Sequence, residues 1–492
     1  MLKRISAVLI AALLIVISVP ALALKGTTPS GYNAHDYQKL SAFLEQTDEG
    51  GVKNGKKLSS GYSPSSPATW SGITFSDSAG GKRVKSMAID NHGLVGALDV
   101  SGCTALETLG CSYNDLTGLN ASGCTALTEI NCAYNEMTSV VVSACTKLEK
   151  INCSDNALTA LDVTGLTALW KLTCYNNRLT ELDVTKNASL KELSCSHNSL
   201  EELDVSKNGL LYFIECTNNA LCALDVTENT ALEYLHCSNN YIAKLDVTKN
   251  PALKYLMCYD NLLTELDLTN NPALEYLDCS LNAIAALDVS VNTGLKNLVC
   301  SHTAIKKLAL RDHSALRTLT VNYNGSLREL DLSGCTRLIN LSCHHDALTA
   351  LDLTNNAELL FDFVRSEGGG TVGYKTSGSC GIAVAQPKEG CAFLGWFTED
   401  GTFISEMYEL YSKDTNHTRV VARFERNTVP GDADGDGEVT AADALIVLRA
   451  AMGIIPTTDE LLAACDLDGD GALTAAEALV ILRYAMDIID SL

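Results

Sequence analysis

LEYLHCSNNYIAKLDVTKNPA, residues 232–252, sets apolar residues at its first, fourth, sixth and eleventh places and asparagine at its ninth. The pattern recurs with a 21-residue period, its leading leucines falling at Leu106, Leu127, Leu148, Leu169, Leu190, Leu211, Leu232, Leu253, Leu274, Leu295, Leu316 and Leu338. These twelve units, one of them 22 residues long, follow a divergent unit that begins near Val84. Around the sixth place the residues alternate with period two. Leu235 and Cys237 should therefore point inward, while Tyr234, His236 and Ser238 face solvent. A unit of this length cannot bury its apolar face alone, so the units should stack as a solenoid in which each coil touches only its neighbours.

Stacking turns each repeated position into a ladder with a rung about every 4.8 Å. The ninth position, from Asn114 to Asn282 and again at Asn324, offers amides that satisfy turn backbone groups. The sixth holds Cys111, Cys132, Cys153, Cys174, Cys195, Cys216, Cys237, Cys258, Cys279, Cys300 and Cys343, with Val321 substituting once. That spacing permits a disulfide between neighbours. An inward cysteine also behaves as a small buried hydrophobe, however, and an uninterrupted stack has no natural pairing, so free thiols are expected. Cys103, Cys124, Cys145 and Cys335 form a smaller set where other units carry asparagine, and Cys380 with Cys391 is the pair for which a bond stays open. Asp99, Asp162, Asp183, Asp204, Asp225, Asp246, Asp267, Asp288, Asp331 and Asp352 form an acidic row. Stacked carboxylates could hold cations, but aspartate before threonine or serine more often caps a turn by accepting a backbone N–H.

L-x-x-L-x-C-x-x-N-x-L matches the leucine-rich repeat, and the array resembles the internalin-type repeats of bacterial surface proteins, most closely their 21-residue variety with a cysteine ladder. The resemblance implies a right-handed solenoid with a parallel β-sheet on its concave side, binding an unidentified protein or glycan there. Residues 70–98 resemble the cap and first repeat of plant-type leucine-rich-repeat proteins, lacking the cysteine usual beside Trp70. Upstream of them, Tyr37, Leu40, Phe43 and Leu44 share one helical face, as a capping helix needs. Residues 366–427 read as short strands and resemble the B-repeat of internalin-like proteins, with Trp396 expected in the core.

Residues 428–492 carry the most specific chemistry. The segment 432–443 brings the carboxylates of Asp432, Asp434 and Asp436, the Glu438 carbonyl, Thr440 and Asp443 to one ion. The segment 466–477 repeats this with Asp466, Asp468, Asp470, the Ala472 carbonyl, Thr474 and Glu477. Calcium takes six to eight oxygens, and such a twelve-residue loop wraps them around a point. Two Ca2+ ions are therefore expected. Each loop opens directly into an apolar helix, at 444–455 and 478–489, with no helix of comparable character before it. That loop-then-helix duplication resembles the type I dockerin family. The resemblance implies a cohesin partner contacted through Ala441, Ala442, Leu448 and Arg449 and, in the other half, Ala475, Ala476, Leu482 and Arg483. Alanine pairs replace the hydroxyl residues of well-known members, which leaves the identity of the cohesin open.

Residues 1–23 pair Lys3 and Arg4 with an apolar run and the small-residue site Ala21-Leu22-Ala23, the form of a secretory signal peptide. The run is too short to span a bilayer of about 30 Å. Losing Lys3 and Arg4 takes the formal charge from -23 to -25, a balance unsuited to nucleic acid. No membrane insertion is expected. The expected divisions are a signal peptide (1–23), a capping segment (24–83), the repeat array (84–365), the B-repeat-like module (366–427) and the dockerin (428–492).

Dockerins commonly tether glycoside hydrolases, but these assignments leave no stretch for a catalytic domain. No H-E-x-x-H, G-x-S-x-G or P-loop motif is present. His302 and His345 are equivalent but two coils apart, too far to share a zinc. Phe213, Tyr234, Tyr255 and Tyr276 occupy one outward position in four consecutive coils, beside Glu215, His236, Met257 and Asp278. They read either as a ligand-binding strip or as a ladder that stabilises the sheet by about 0.2–1 kcal/mol per pair. The expected function is a non-catalytic secreted binding protein that docks by calcium-dependent contact on a cohesin-bearing scaffold, in a cellulosome-like, polysaccharide-degrading setting. A cell-surface adhesin with an orphan dockerin, or a hydrolase component, is the alternative.

Overall fold

The computed structural model describes residues 28–486 and 488–489 apart from 344–347, 349–354, 357–362, 368–369, 378–379, 388–390, 399–402, 406–408, 412–418, 427–428 and 435–437. The proposed signal peptide and His345 lie outside the described residues. The chain divides into two compact units, Met1–Leu308 and Ala309–Leu492, and the repeat pattern runs through both.

Each coil contributes a three-residue strand to a parallel sheet, and the 21-residue period fixes the register. Phe213 pairs with Tyr234 and Tyr234 with Tyr255, while the inward leucines follow as Ile214, Leu235 and Leu256. Leu235 and Cys237 are fully buried, as are their equivalents from Leu109 and Cys111 to Leu319 and Val321, whereas the last ladder cysteine, Cys343, is half-buried. Fully burying one such leucine contributes about 1.5–3 kcal/mol. The period of two ends sooner than the sequence suggests, because the strand Tyr234–His236 is already over when the chain reaches Ser238. Ser238 is buried, not solvent-facing: it lies in the turn, where its carbonyl accepts the Thr217 hydroxyl of the preceding coil at 2.9 Å. The next residue, Asn239, takes a left-handed backbone with φ 53°.

Asparagines tie the coils together. Asn240 Nδ2 donates to the carbonyls of Cys216, Cys237 and Ser238 at 3.0–3.1 Å, and its Oδ1 accepts the Leu221 N–H at 3.0 Å. A second asparagine ladder, from Asn187 to Asn292, closes the coils of the middle of the array, with Asn250 Nδ2 donating to Val226 and Asn229 carbonyls. Cysteine replaces it in the early coils. Cys124 and Cys145 donate from Sγ to carbonyls of the preceding coil at 3.1 Å.

The N-terminal end of the stack is closed by helix α1 (Ala34–Leu44), started by the Asn33 side chain accepting the His35 and Asp36 N–H groups. Its buried face includes Tyr37, Leu40, Phe43 and Leu44. Helix α2 (Asn54–Leu58) follows, and Asn54 pairs with both the N–H and the C=O of Val95 at 3.0 Å, satisfying an open strand edge. The strand Ile73–Ser76 runs antiparallel to Arg83–Ala88, which pairs parallel with the first coil. Asp36 is fully buried and holds Arg83 through two hydrogen bonds of 2.8 and 2.9 Å and the Val84 N–H at 2.9 Å.

In the second unit, strands between Phe363 and Arg426 form a four-stranded and a three-stranded sheet. Trp396 is fully buried there, with Phe393 edge-on at 5.6 Å. The side chains of Cys380 and Cys391 lie outside what the structure describes. Beyond these sheets come helices α3 (Ala441–Ala451), α4 (Asp459–Cys465) and α5 (Ala475–Ala485).

Candidate functional site: two acidic loops and a concave face

The two acidic loops sit immediately before α3 and α5. Carboxylate oxygens of Asp466, Asp468 and Asp470 lie within 4.8 Å of one another, and so do those of Asp432, Asp434 and Asp443. The second loop winds its backbone around Asp466, whose carboxylate accepts N–H groups from Gly469, Asp470 and Gly471 at 2.8–3.1 Å. Such a wrap needs left-handed backbone, and Gly469 and Gly471 supply it with φ of 72° and 83°. Three clustered carboxylates are a hard oxygen donor set of the kind calcium takes. Asp436 lies outside the described residues.

Position twelve of each loop is buried and has a further task. Asp443 accepts the N–H groups of Ala433, Asp434 and Thr440 at 2.8–3.1 Å and the Thr440 hydroxyl at 2.9 Å. Burial would raise its carboxyl, but these hydrogen bonds outweigh burial and hold it below the usual carboxylate value. Glu477 spans from the Leu467 N–H to the Thr474 N–H and stands outside the second carboxylate group. Thr440 and Thr474 are helix N-caps, each donating its backbone N–H to the position-twelve carboxylate and accepting an N–H on its hydroxyl. Loop and helix are thus one hydrogen-bonded unit.

A third cluster, His35, Asp36 and Cys103, has metal-like spacing. Asp36 is already committed to Arg83 and Val84, so it holds the cap together. From Asp99 to Asp331 the aspartate row behaves as turn caps, Asp352 lying outside the described residues: Asp246 accepts the Thr248 N–H at 2.9 Å and hydroxyl at 2.6 Å, and these bonds, the hydroxyl first, lower its carboxyl.

On the concave sheet, Phe213 and Tyr234 stack with ring centroids 4.5 Å apart at 11°, and Tyr255 follows at 6.0 Å, tilted by 40°. Tyr276 takes the same place in the next coil. Ser194 donates to Glu215 at 3.0 Å, and the His236 ring meets Tyr259 at 6.0 Å.

The functional domain of InlJ from Listeria monocytogenes, which includes a cysteine ladder, is 33% identical with a TM-score of 0.51, over 57% of this chain and 67% of that one. This chain belongs to the internalin-like leucine-rich-repeat family with a cysteine ladder. An internalin, inlF, from Listeria monocytogenes strain 4b F2365 is 19% identical with a TM-score of 0.47, over 56% of this chain and 84% of that one. Residues 430–485 match the dockerin type I domain, so the internalin-like array carries a C-terminal type I dockerin. No curated protein matches the chain in sequence. Both components are non-catalytic binding modules, type I dockerins bind calcium, and a dockerin implies a cohesin partner. Among the described residues no helix is long and apolar enough to cross a membrane.

Within the dockerin, Ala441, Ala442, Arg449, Ala475, Ala476 and Arg483 are exposed or half-exposed, whereas Leu448 and Leu482 are half-buried against the module's own core. The sequence reading missed three exposed apolar positions present in both halves: Leu445 and Leu479, Met452 and Met486, Ile454 and Ile488. Aligning the two halves on their loops would have found them as apolar residues kept off the core face. It also missed α4, a helix before the second loop that buries Leu461, Ala464 and Cys465. On the early coils Trp170 and Lys150, with ammonium and ring centroid 5.4 Å apart, line a depression of about 290 Å3 together with Glu129, Lys171 and Thr173.

Proposed function

We propose that this internalin-like chain is a secreted, non-catalytic binding component that docks through its dockerin on a cohesin-bearing scaffold and presents the concave face of its repeats to a protein or glycan ligand. The setting is a polysaccharide-degrading, cellulosome-like assembly. The observation that carries the reading is the twofold repetition of exposed apolar residues on and just after α3 and α5, with Ile454 and Ile488 61% and 60% exposed. Exposed apolar residues mark an interaction surface when they recur at matching positions, and here the same three positions are exposed in both halves, each on or just after the helix that follows a calcium-type loop.

One Ca2+ per loop would be held by Asp432, Asp434, Asp436, Glu438, Thr440 and Asp443, and by Asp466, Asp468, Asp470, Ala472, Thr474 and Glu477. Calcium would neutralise each carboxylate cluster and fix the loop. The chain's own residues then orient the faces: Asp443 and Glu477 lock each loop to its helix, and the helices present Ala441, Ala442, Leu445 and Arg449 or their counterparts. The proposed boundaries remain 1–23, 24–83, 84–365, 366–427 and 428–492.

The test is capture of the full chain by an immobilised type I cohesin, with calcium and with chelator. Replacing Ala441 and Ala442 by glutamate should leave capture nearly intact, and adding the same change at Ala475 and Ala476 should abolish it. Loss from the first pair alone would show that one face works; chelator-insensitive capture, or none by any cohesin, would sink the docking reading.

A further inference from the structure

The strip that would meet the ligand opens with a stacked pair. Phe213 and Tyr234 lie 4.5 Å apart within 11° of parallel, and Tyr255 follows at 6.0 Å, tilted by 40°. Stacked rings cover the faces they turn to each other, which leaves this pair less open face and more edge than a lone ring. A sugar ring gains most from an aromatic by lying flat on an open face. Ring edges carry the positive side of the aromatic quadrupole and suit carbonyl oxygens, aliphatic chains and other rings, the groups of a polypeptide.

Charge on the same sheet has a gap. Glu192, Glu233 and Glu275 are ion-paired with Lys171, Lys254 and Lys296 at 2.7–2.8 Å. Among the described residues Glu215 and Asp278, both half-buried beside the strip, have no lysine or arginine paired to them. They stand three coils apart, about 14 Å at the strand spacing. Residues i and i+4 of an extended chain are separated by about 13–14 Å.

Apolar side chains are also exposed in the turns that leave the sheet. Tyr241, Leu262 and Leu281 there are about half exposed, and the Tyr259 ring lies 6.0 Å from that of His236 on the sheet.

We infer that the concave face takes an extended polypeptide with two lysine or arginine side chains four residues apart and apolar residues between, its footprint running over Tyr241, Leu262 and Leu281. This rests on the concave-face reading above and names the ligand class for it. The cations neutralise Glu215 and Asp278, and the intervening side chains cover the ring edges.

The full chain is panned against a phage-displayed random 12-residue library, and selected peptides are synthesised. Affinities are compared for the wild type, Glu215→Gln with Asp278→Asn, Leu262→Ser and Tyr255→Ser, with thermal midpoints confirming that each variant is folded. Gel retardation by xylan and by mixed-linkage β-glucan runs in parallel. Selected peptides should carry the paired cations, lose at least tenfold in affinity to the double carboxylate variant and to Leu262→Ser, and weaken as salt rises. Polysaccharide retardation that disappears with Tyr255→Ser would overturn the inference while leaving the concave face as the binding face. Peptides without the paired cations, or indifferent to Glu215 and Asp278, would also overturn it. If neither peptides nor polysaccharides depend on Tyr255, Glu215 or Asp278, the concave-face reading falls as well.

Discussion

Cys237 shows what the ladder cysteines are for. It is fully buried between coils, and burial pushes its thiol up to about 12, as it does for Cys195 and Cys279. The thiolate is the reactive form, so these thiols should be inert to alkylation at pH 8, whereas exposed Cys222 should react at once. Quantitative labelling before and after denaturation, read by peptide mass, checks this; fast labelling of Cys237 in the native chain would refute it. Linkage gives the matching pH effect. An unfolded cysteine loses its proton near about pH 8.5 and the folded one only near about 12. The ladder's contribution is therefore complete below about pH 8.5 and erodes as pH rises towards about 12. Asn240 makes a different case, because its amide bridges two coils with four hydrogen bonds. Asn240→Ala orphans buried backbone groups at about 1–3 kcal/mol each before relaxation, so a clear fall in thermal midpoint is expected. Asn240→Asp should recover the Leu221 N–H and little else.

Elements differ in how they are held. The coils are fixed by register and burial, whereas α3 and α5 depend on loops crowded with carboxylates. Calcium should therefore raise hydrogen-exchange protection of Ala441–Ala451 and Ala475–Ala485 strongly and leave the strand Tyr234–His236 unchanged. Asp466→Ala should weaken protection of α5 first, and equal protection with chelator would contradict the metal-coupled reading. The repeat was legible in the sequence because a 21-residue period with inward leucines leaves one arrangement that buries them. The acidic loops were legible because ligand spacing is itself a sequence property. Ser238 was not, since the length of a strand depends on where the turn begins, and the left-handed Asn239 that ends it has no strict signature. Helix α4 escaped because seven residues give too few turns for a periodic signal. Nor does any pattern fix ring orientation: the file of Phe213, Tyr234 and Tyr255 is readable as a strip, but edge and face follow from side-chain rotamers.

For the whole array the open question is how an end is kept from unravelling when each coil relies on its neighbours. The N-terminal cap answers it with α1, α2 and one buried ion pair. Asp36 is fully buried and receives Arg83 through two hydrogen bonds, while Asn54 and Gln46 bond the first coil's backbone at Val95 and Ala97. Arg83→Ala would leave the Asp36 carboxylate buried without its cation, a change that costs about 3–5 kcal/mol. In a repeat array that loss need not be shared evenly, because stability is a sum of coil and neighbour terms and opening can spread from an end. The cysteines make this readable, since Cys103 and Cys111 lie in the first coils, Cys237 lies mid-array, and all are buried. In Arg83→Ala, pulsed alkylation should mark Cys103 and Cys111 well before Cys237, whereas the wild type should mark all of them slowly. Simultaneous labelling of the three in the variant would show that the coils open as a single cooperative block, and the cap would then be one more contributor to global stability, not a stopper at the end of the stack.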